Sequence, residues 1–402
     1  MDTMTDAACR NAGTARILSR GMLLIFAVTC GASVANIYAA QPLLDTIAAT
    51  FGIAPGAVGL VVTLTQIGYA AGLILIVPLG DLVDRRKLVV IQTMLSALAL
   101  SAVALAPNVF VLFGGMIVVG LLAVVVQVLV AMSAALARPQ ERGRAVGLVT
   151  SGVVIGILAA RFVAGLLSDF GGWRVVYLVS AGVMLLLGLL LARVLPRDVP
   201  VAGTERYSAV LKSIPRLFLR DPVLRLRAGL AFLIFASFST LWTAMVLPLS
   251  AAPFSFSHMQ VGLFGIAGLA GALAASSAGR LADEGFAGQV TGASLALLCL
   301  SWLAIGFLPR SLAVFALGVV VLDFAVQAVH VTNQSLILAR RPEARSRLVG
   351  GYMVFYSAGS ALGAITSTAS YAQFGWAGVC GAGAAFSLAA LVLWSLGAIR
   401  RT

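Results

Sequence analysis

Long apolar runs separated by short polar segments dominate the pattern of this chain. A helix needs about 20 apolar residues to cross the roughly 30 Å hydrocarbon core of a bilayer, and it satisfies its own backbone hydrogen bonds there. The pattern therefore predicts an all-α membrane protein with twelve transmembrane helices, which we number span 1 to span 12. The runs begin near Gly21, Ala57, Leu88, Val109, Ala145, Val175, Ala228, Gln260, Ala287, Leu312, Leu348 and Ala377.

Composition excludes an ordinary soluble domain, because 61% of the 402 residues are hydrophobic and 10% are charged. The first run is as long as a true span, so we interpret it as a retained anchor and not as a cleaved signal peptide. Neither the two histidines nor the four cysteines have the spacing of metal ligands, and no nucleophile motif, phosphate loop or dinucleotide fingerprint stands out. We therefore expect no enzyme activity, no cofactor and no metal site.

Basic residues account for the net charge of +13 and occupy alternate loops. This alternation indicates membrane topology and not nucleic-acid binding, since arginine-rich loops face the cytoplasm. Both termini are therefore predicted to be cytoplasmic, in a multi-pass membrane protein. Arg174 and Arg310 lie in the opposite loops, whereas the predicted cytoplasmic loops and tails hold Arg10, Arg16, Arg20, Arg85, Arg86, Lys87, Arg138, Arg142, Arg144, Arg280, Arg340, Arg400 and Arg401.

An internal repeat divides the chain into two related halves. The stretch "PQERGRAVG" (139–147) matches "PEARSRLVG" (342–350), and the same offset carries Gly156 onto Gly359 and the pair Gly172, Trp173 onto Gly375, Trp376. The fold is thus predicted to be six helices repeated. The predicted domains are a cytoplasmic tail (1–20), an N-terminal six-helix bundle (21–195), a cytoplasmic linker with an interfacial helix (196–227), a C-terminal six-helix bundle (228–399) and a second tail (400–402).

Two loop motifs carry a resemblance to a known family. The stretch "GDLVDRRK" (80–87) and its degenerate copy "GRLADEG" (279–285) resemble the loop signature of the major facilitator superfamily. The stretches "NIYAAQPLLDTIA", "GILAARFVAG" and "VLDFAVQAVHVTNQS" are similar to its bacterial twelve-span branch of drug and metabolite efflux proteins. The resemblance implies the major facilitator fold, a location in a bacterial inner membrane, a small-molecule substrate, and gating residues at Gly80, Asp84, Arg85, Gly279 and Asp283.

The signature also has a physical interpretation. Gly80 is expected to let two helices approach closely. Asp84 can occupy the positive end of the next helix or accept a hydrogen bond from an arginine across the cytoplasmic gate.

Arg161 and Asp323 are the only charged residues inside the predicted spans. Each is about 25 Å along its helix from the nearest basic loop, so the two lie at similar depth. The repeat carries Arg161 onto Ala364 and Asp323 onto Gly120 or Ala123, which means that the charges are not duplicated with the scaffold. Because intramembrane charge is costly, we predict a functional role in proton coupling for the pair.

Polar residues continue from Asp323 along one face of span 10, at Gln327, His330 and Gln334. This stripe predicts a water-filled cavity, which the resemblance places between spans 1, 4, 7 and 10. The predicted substrate-binding residues are Tyr38, Gln41, Gln127, Trp242, Gln327 and His330. Asn36 is assigned to packing, and close helix packing is predicted at Gly152, Gly156, Gly262, Gly265, Gly268 and Gly271.

The leading hypothesis is a monomeric secondary transporter that exports a small organic molecule in exchange for protons. An alternative is a facilitator or importer of a metabolite such as a sugar or nucleoside, in which Asp323 binds substrate and carries no proton. A third hypothesis is a membrane scaffold or sensor that does not transport, which predicts an occluded or apolar centre.

Overall fold

A computed structural model describes residues 19–138, 140–196, 221–340 and 345–399, together with residues 207, 208, 211, 216, 218 and 219. These described parts of the chain are helical and contain no strand. Residues 1–18 of the first predicted tail, all of the second tail and most of the predicted interfacial helix lie outside the described residues. The helix of span 7 begins at Pro222, where the carboxylate of Asp221 caps it by accepting from the backbone N–H of Val223 at 2.9 Å.

Nine helical segments in the described part of the chain are long and apolar enough to cross a membrane. Several contain more than one helix, because short turns or breaks interrupt them. The nine segments lie in Arg20–Tyr38 and Leu44–Phe51 (span 1), Leu60–Leu75 (span 2), Arg85–Ala104 (span 3), Val109–Leu122 and Val125–Leu136 (span 4), Arg142–Val194 (spans 5 and 6), Pro222–Ala244 and Val246–Ser250 (span 7), Ala287–Ile305 (span 9), Leu312–Arg340 (span 10) and Arg345–Ile399 (spans 11 and 12). A further helix of the described residues, His258–Leu281, is span 8.

Two long helical segments each supply a pair of spans. The 53 residues of Arg142–Val194 would extend about 80 Å as one straight helix, well over twice the thickness of a hydrocarbon core. The segment breaks at Gly171 and Gly172, where Gly172 has φ 77°, and Arg345–Ile399 breaks at Gly375 with φ 62°. Glycine tolerates this left-handed region because it has no Cβ. The two breaks lie at equivalent positions of the repeat and produce twelve spans.

Equivalent glycines of the repeat make equivalent helix contacts. A methyl group on Gly156 would lie 2.3 Å from the carbonyl oxygen of Gly31, so spans 5 and 1 touch at their backbones. A methyl group on Gly359 would lie 2.0 Å from the carbonyl oxygen of Phe232, which joins spans 11 and 7 in the same way. The predicted division into two six-helix halves, and the close packing predicted at Gly156, are confirmed.

The two ends of the helices differ in charge. We call the ends that carry Arg20, Arg85 and Arg144 the basic face, and the ends that carry Asp45, Asp169 and His258 the opposite face. The opposite-face side of the molecule is closed by contacts between the two halves.

Spans 2 and 11 provide one part of this closure. The Gly59 N–H donates to Thr368 Oγ1 at 3.2 Å, and Thr63 Oγ1 donates to the Ala361 carbonyl at 2.9 Å. Spans 5 and 8 provide the other part, because a methyl group on Gly165 would lie 2.1 Å from the His258 carbonyl oxygen.

Candidate proton and substrate site

Arg161 lies on span 5 at the centre of the molecule and is 2% exposed. Its Nε donates to Gln41 Oε1 at 2.8 Å, and its guanidinium carbon lies 3.9 Å from the ring centroid of Trp242 and 5.1 Å from that of Tyr38. Gln41 belongs to the short turn that interrupts span 1, so this break in the helix presents the amide to the arginine. A guanidinium over an indole face gains a cation–π attraction that is strongest away from water.

Asp323 lies on span 10 and is 3% exposed. Its Oδ1 accepts from Trp242 Nε1 at 3.0 Å. The other carboxylate oxygen fits against span 8 because residue 268 is glycine, where a methyl group would lie 1.9 Å from Oδ2. Gly271, one turn along span 8, would place a methyl group 2.4 Å from the Val320 carbonyl oxygen. The close packing predicted at these two glycines is confirmed, and it creates the space that the carboxylate occupies.

Trp242 connects the two charges. Arg161 and Asp323 make no ion pair with each other among the contacts of the described residues. The indole of Trp242 accepts the guanidinium on its ring face and donates its N–H to the carboxylate. Arg161 belongs to the N-terminal half, whereas Trp242 and Asp323 belong to the C-terminal half. The contact across the seam between the halves is therefore a cation–π contact of Arg161 with Trp242. The carboxylate of Asp323 holds the indole ring in place.

Aromatic side chains surround this group. The hydroxyls of Tyr38 and Tyr356 form a hydrogen bond between the two halves, and Phe238 lies 5.6 Å from the Arg161 guanidinium. The ring of Phe235 lies 3.8 Å from the ring of Tyr356, centroid to centroid. Sequence reasoning missed both phenylalanines and Tyr356, although the spacing of Phe235, Phe238 and Trp242 on one face of span 7 was a signal.

The remaining predicted contact residues lie nearer the basic face and are half-buried. Gln127 Nε2 donates to the Tyr69 hydroxyl at 3.4 Å. His330 Nδ1 and the Tyr352 hydroxyl are 2.9 Å apart, and His330 Nε2 lies 3.2 Å from Gln334 Nε2. Gln327 lies on the same helix, one turn from Asp323, and no hydrogen bond joins it to the central group among those of the described residues. The structure thus brings together Tyr38, Gln41, Arg161, Trp242 and Asp323, and leaves Gln127, Gln327 and His330 in an outer layer.

The loop signature forms a helix cap at the basic face. Asp84 Oδ1 accepts from the N–H groups of Arg86 at 2.9 Å and Lys87 at 3.4 Å, which satisfies donors at the start of span 3. Arg85 Nε donates to the Gly80 carbonyl at 2.8 Å.

The expectation that Gly80 permits close helix approach is wrong. A methyl group there would lie 3.8 Å from the nearest atom, a side-chain carbon of Val128, which is an ordinary contact distance. In the second copy of the signature, Gly279 lies in span 8 and Asp283 lies in the π-helical turn Ala282–Phe286. The surroundings of Gly279 and the side chain of Asp283 lie outside what the structure describes.

Sequence reasoning also missed a polar cluster at the opposite face. His258 Nε2 lies 3.0 Å from Asp45 Oδ1, and His258 Nδ1 lies 3.3 Å from Asp169 Oδ1. The three residues come from the ends of spans 1, 5 and 8, far apart along the chain. The available signal was that each is an ionisable residue in a loop region where the predicted topology leaves few charges.

Comparisons with known proteins agree with this architecture. Residues 22–343 match the Major Facilitator Superfamily. The chain is 44% identical over 377 residues to a protein of Escherichia coli O157:H7 named as the uncharacterized transporter YgaY, covering 94% of this chain and 95% of that protein. It is 34% identical over 410 residues to a protein of Streptomyces coelicolor named "Probable transporter SCO4007", covering 99% of this chain and 92% of that protein.

A solved structure shares the fold. It is a bacterial homolog of the human lysosomal transporter Spinster in an inward-facing, occupied conformation, with a TM-score of 0.76 and 16% identity, covering 94% of this chain and 96% of that one.

Proposed function

Since this chain belongs to the major facilitator superfamily, we propose that it is an exporter that exchanges a small amphipathic organic molecule for protons by alternating access between its halves. The basic face is then the cytoplasmic face, as the positive-inside rule requires. The protein works as a monomer in the inner membrane, and Asp323 carries the proton.

The contact of Arg161 with the ring face of Trp242, and of Asp323 with the N–H edge of the same indole, carries this proposal. Charges are costly in the membrane interior and mark functional sites there. These two lie at the seam between halves that must move relative to each other, and the repeat does not duplicate them. A role in scaffolding alone gives no reason for a cation and an anion from different halves to contact one indole.

Protonation of Asp323 supplies the coupling step. The ionised carboxylate fixes the indole through a charge-assisted hydrogen bond and attracts Arg161 across the seam. A proton on Asp323 removes that attraction and weakens the hydrogen bond from Trp242 Nε1, which frees the ring to change partners. Protonation from the periplasm therefore favours substrate release, and deprotonation toward the cytoplasm restores the binding form. One proton entering down 100 mV gains about 2.3 kcal/mol.

The surroundings of the two charges favour an amphipathic substrate. Tyr38, Phe238 and Trp242 provide aromatic faces within reach of Arg161. Aromatic rings with a polar edge bind the apolar body of a ligand and orient its polar group. The half-buried Gln127, Gln327 and His330 line the route from this centre to the basic face and supply hydrogen-bonding groups along it.

The decisive experiment is transport by purified protein in liposomes with an imposed pH gradient, using labelled amphipathic compounds as candidates. Wild-type protein is expected to accumulate at least one of them against its own gradient. Asp323→Asn is expected to insert normally and lose the gradient-driven component, while Asp323→Glu keeps partial activity with a shifted pH profile. Glu141→Gln is the matched control, because it makes the same carboxylate-to-amide change at an exposed site on the basic face.

The possible results separate the hypotheses. Full response of Asp323→Asn to the pH gradient rejects proton coupling at this residue. Wild-type movement of a sugar or nucleoside that ignores the gradient supports the facilitator alternative.

A further inference from the structure

We propose that Asp45, His258 and Asp169 form a proton-binding latch that closes the opposite face when His258 is protonated. The latch is separate from the central group around Trp242, and it links the ends of three spans. The latch controls whether the opposite face is open or closed, and it does not carry a proton through the protein.

The geometry of the cluster favours a doubly protonated imidazole. His258 places Nε2 at 3.0 Å from Asp45 Oδ1 and Nδ1 at 3.3 Å from Asp169 Oδ1. A neutral imidazole has one N–H, so one of the two carboxylates would face a nitrogen lone pair. The imidazolium has two N–H groups and donates one to each carboxylate. With both carboxylates ionised, only the charged form satisfies both contacts.

The latch spans the seam between the halves. Asp45 and Asp169 belong to the N-terminal half, whereas His258 begins span 8 of the C-terminal half. Asp169 also caps that helix, because its Oδ1 accepts from the His258 backbone N–H at 3.1 Å and its Oδ2 from the Met259 N–H at 3.0 Å. The backbones meet beneath the cluster at Gly165. Opening this face must therefore separate the imidazole from both carboxylates.

Closure changes the affinity of His258 for its proton. The carboxylates of Asp45 and Asp169 hold the pKa of His258 above its usual value, with the hydrogen bond to Asp45 the larger cause. Among the described residues, no other charged side chain contacts the ring. The side chain of His258 is 17% exposed and those of Asp45 and Asp169 are 26% and 28% exposed, so protons reach the cluster from the opposite face.

The direction of the pH effect follows by linkage. The closed form binds the proton more tightly, so the stabilisation of closure is complete below about pH 6.5, the ordinary pKa of histidine. It is lost as pH rises through the raised pKa of the closed form. The ratio of closed to open molecules should fall by about tenfold for each unit by which closure raises the pKa. Acid on this face therefore favours closure.

Distance measurements between spin labels test the latch without substrate or gradient. Ala54→Cys and Ala251→Cys place one label on each half at exposed positions of the opposite face. The background replaces the four native cysteines by alanine. In lipid nanodiscs, where both faces share one pH, the short-distance population is expected to fall between about pH 5.5 and pH 8.5. With Asp323→Asn added to the background, so that the central carboxylate does not titrate, His258→Gln is expected to abolish this dependence.

Two further variants keep the test decisive. Asp45→Asn retains the shape of the side chain and removes one charge, so the midpoint of the pH-dependent distance change should move to lower pH. This variant also tests the latch if His258→Gln fails to fold. Glu141→Gln changes an exposed ionisable residue on the basic face and should leave the midpoint unchanged. A full pH response in His258→Gln, or an absent response in the wild type, overturns the latch.

The names periplasmic and cytoplasmic rest on the proposed function, but the latch itself does not. Asp323→Asn should keep the pH response of the labels even though it is expected to lose gradient-driven transport. A loss of transport coupling and a loss of the latch are therefore separate results.

Discussion

Replacing Gly268 by alanine tests whether the space around Asp323 is essential to the central site. A methyl group at this position would lie 1.9 Å from Asp323 Oδ2, 3.1 Å from Asp323 Cγ and 3.1 Å from Trp242 Cζ2. The carboxylate cannot simply turn away, because its Oδ1 accepts from Trp242 Nε1. Either the helices of spans 8 and 10 separate or the hydrogen bond is lost.

The loss of unfolding free energy caused by Gly268→Ala can be bounded. Overpacking a well-filled interior costs about 1–3 kcal/mol, and loss of a hydrogen bond to a charged group costs about 1.5–3 kcal/mol. Only one of the two responses is needed, so Gly268→Ala should destabilise the protein by about 1–3 kcal/mol. The matched control is Gly182→Ala on span 6, where no atom lies within 4 Å of the added methyl group. That control should be neutral or slightly stabilising, since alanine is the better helix former.

Unfolding of the purified protein in detergent measures the loss of unfolding free energy in Gly268→Ala. A double-mutant cycle tests whether that loss arises from the contact with the Asp323 carboxylate. In an Asp323→Ala background the carboxylate is absent, so Gly268→Ala should cost less by a coupling energy of about 0.5–3 kcal/mol. Gradient-driven transport should fall in Gly268→Ala even where protein is well folded, because the ring of Trp242 loses its fixed position under Arg161. Equal costs in both backgrounds, or a cost no greater than that of Gly182→Ala, would refute the reasoning.

The fold was largely predictable because its determinants are local. Apolar runs of membrane-spanning length identify the helices, and the sequence repeat identifies the two halves. The repeat pairs Gly172 with Gly375, and both adopt the positive φ that ends a span. It also pairs Gly156 with Gly359, and each of these meets a backbone carbonyl. Such glycines are visible in sequence because no other residue fits where two backbones touch.

The central site was only partly predictable, since it depends on register between distant helices. Depth along each helix indicates that Arg161 and Asp323 lie at the same level in the membrane, but it does not specify how each helix is rotated about its own axis. That rotation determines which side chains meet. It places Trp242 between the two charges and brings Gln41 to accept a hydrogen bond from Arg161.

The opposite-face cluster was missed for the same reason. Residues 45 and 258 are separated by 213 positions, and no local pattern relates them.

Two further predictions concern orientation and the gate. A reporter active only in the periplasm should stay silent when fused after Thr402 and be active when inserted near Pro253; the reverse result would overturn the assignment of the basic face to the cytoplasm. Asp84→Asn should keep normal protein levels and substrate binding, because asparagine caps a helix about as well as aspartate. Turnover should nevertheless slow, since a neutral amide cannot make the charge-assisted contact with an arginine that a gate requires in one conformation. Asp84→Ala separates the two roles, because it should also lower stability by about 1 kcal/mol through loss of the bonds to the Arg86 and Lys87 N–H groups. Wild-type turnover in Asp84→Asn, together with lower stability in Asp84→Ala, would show that Asp84 acts only as a cap.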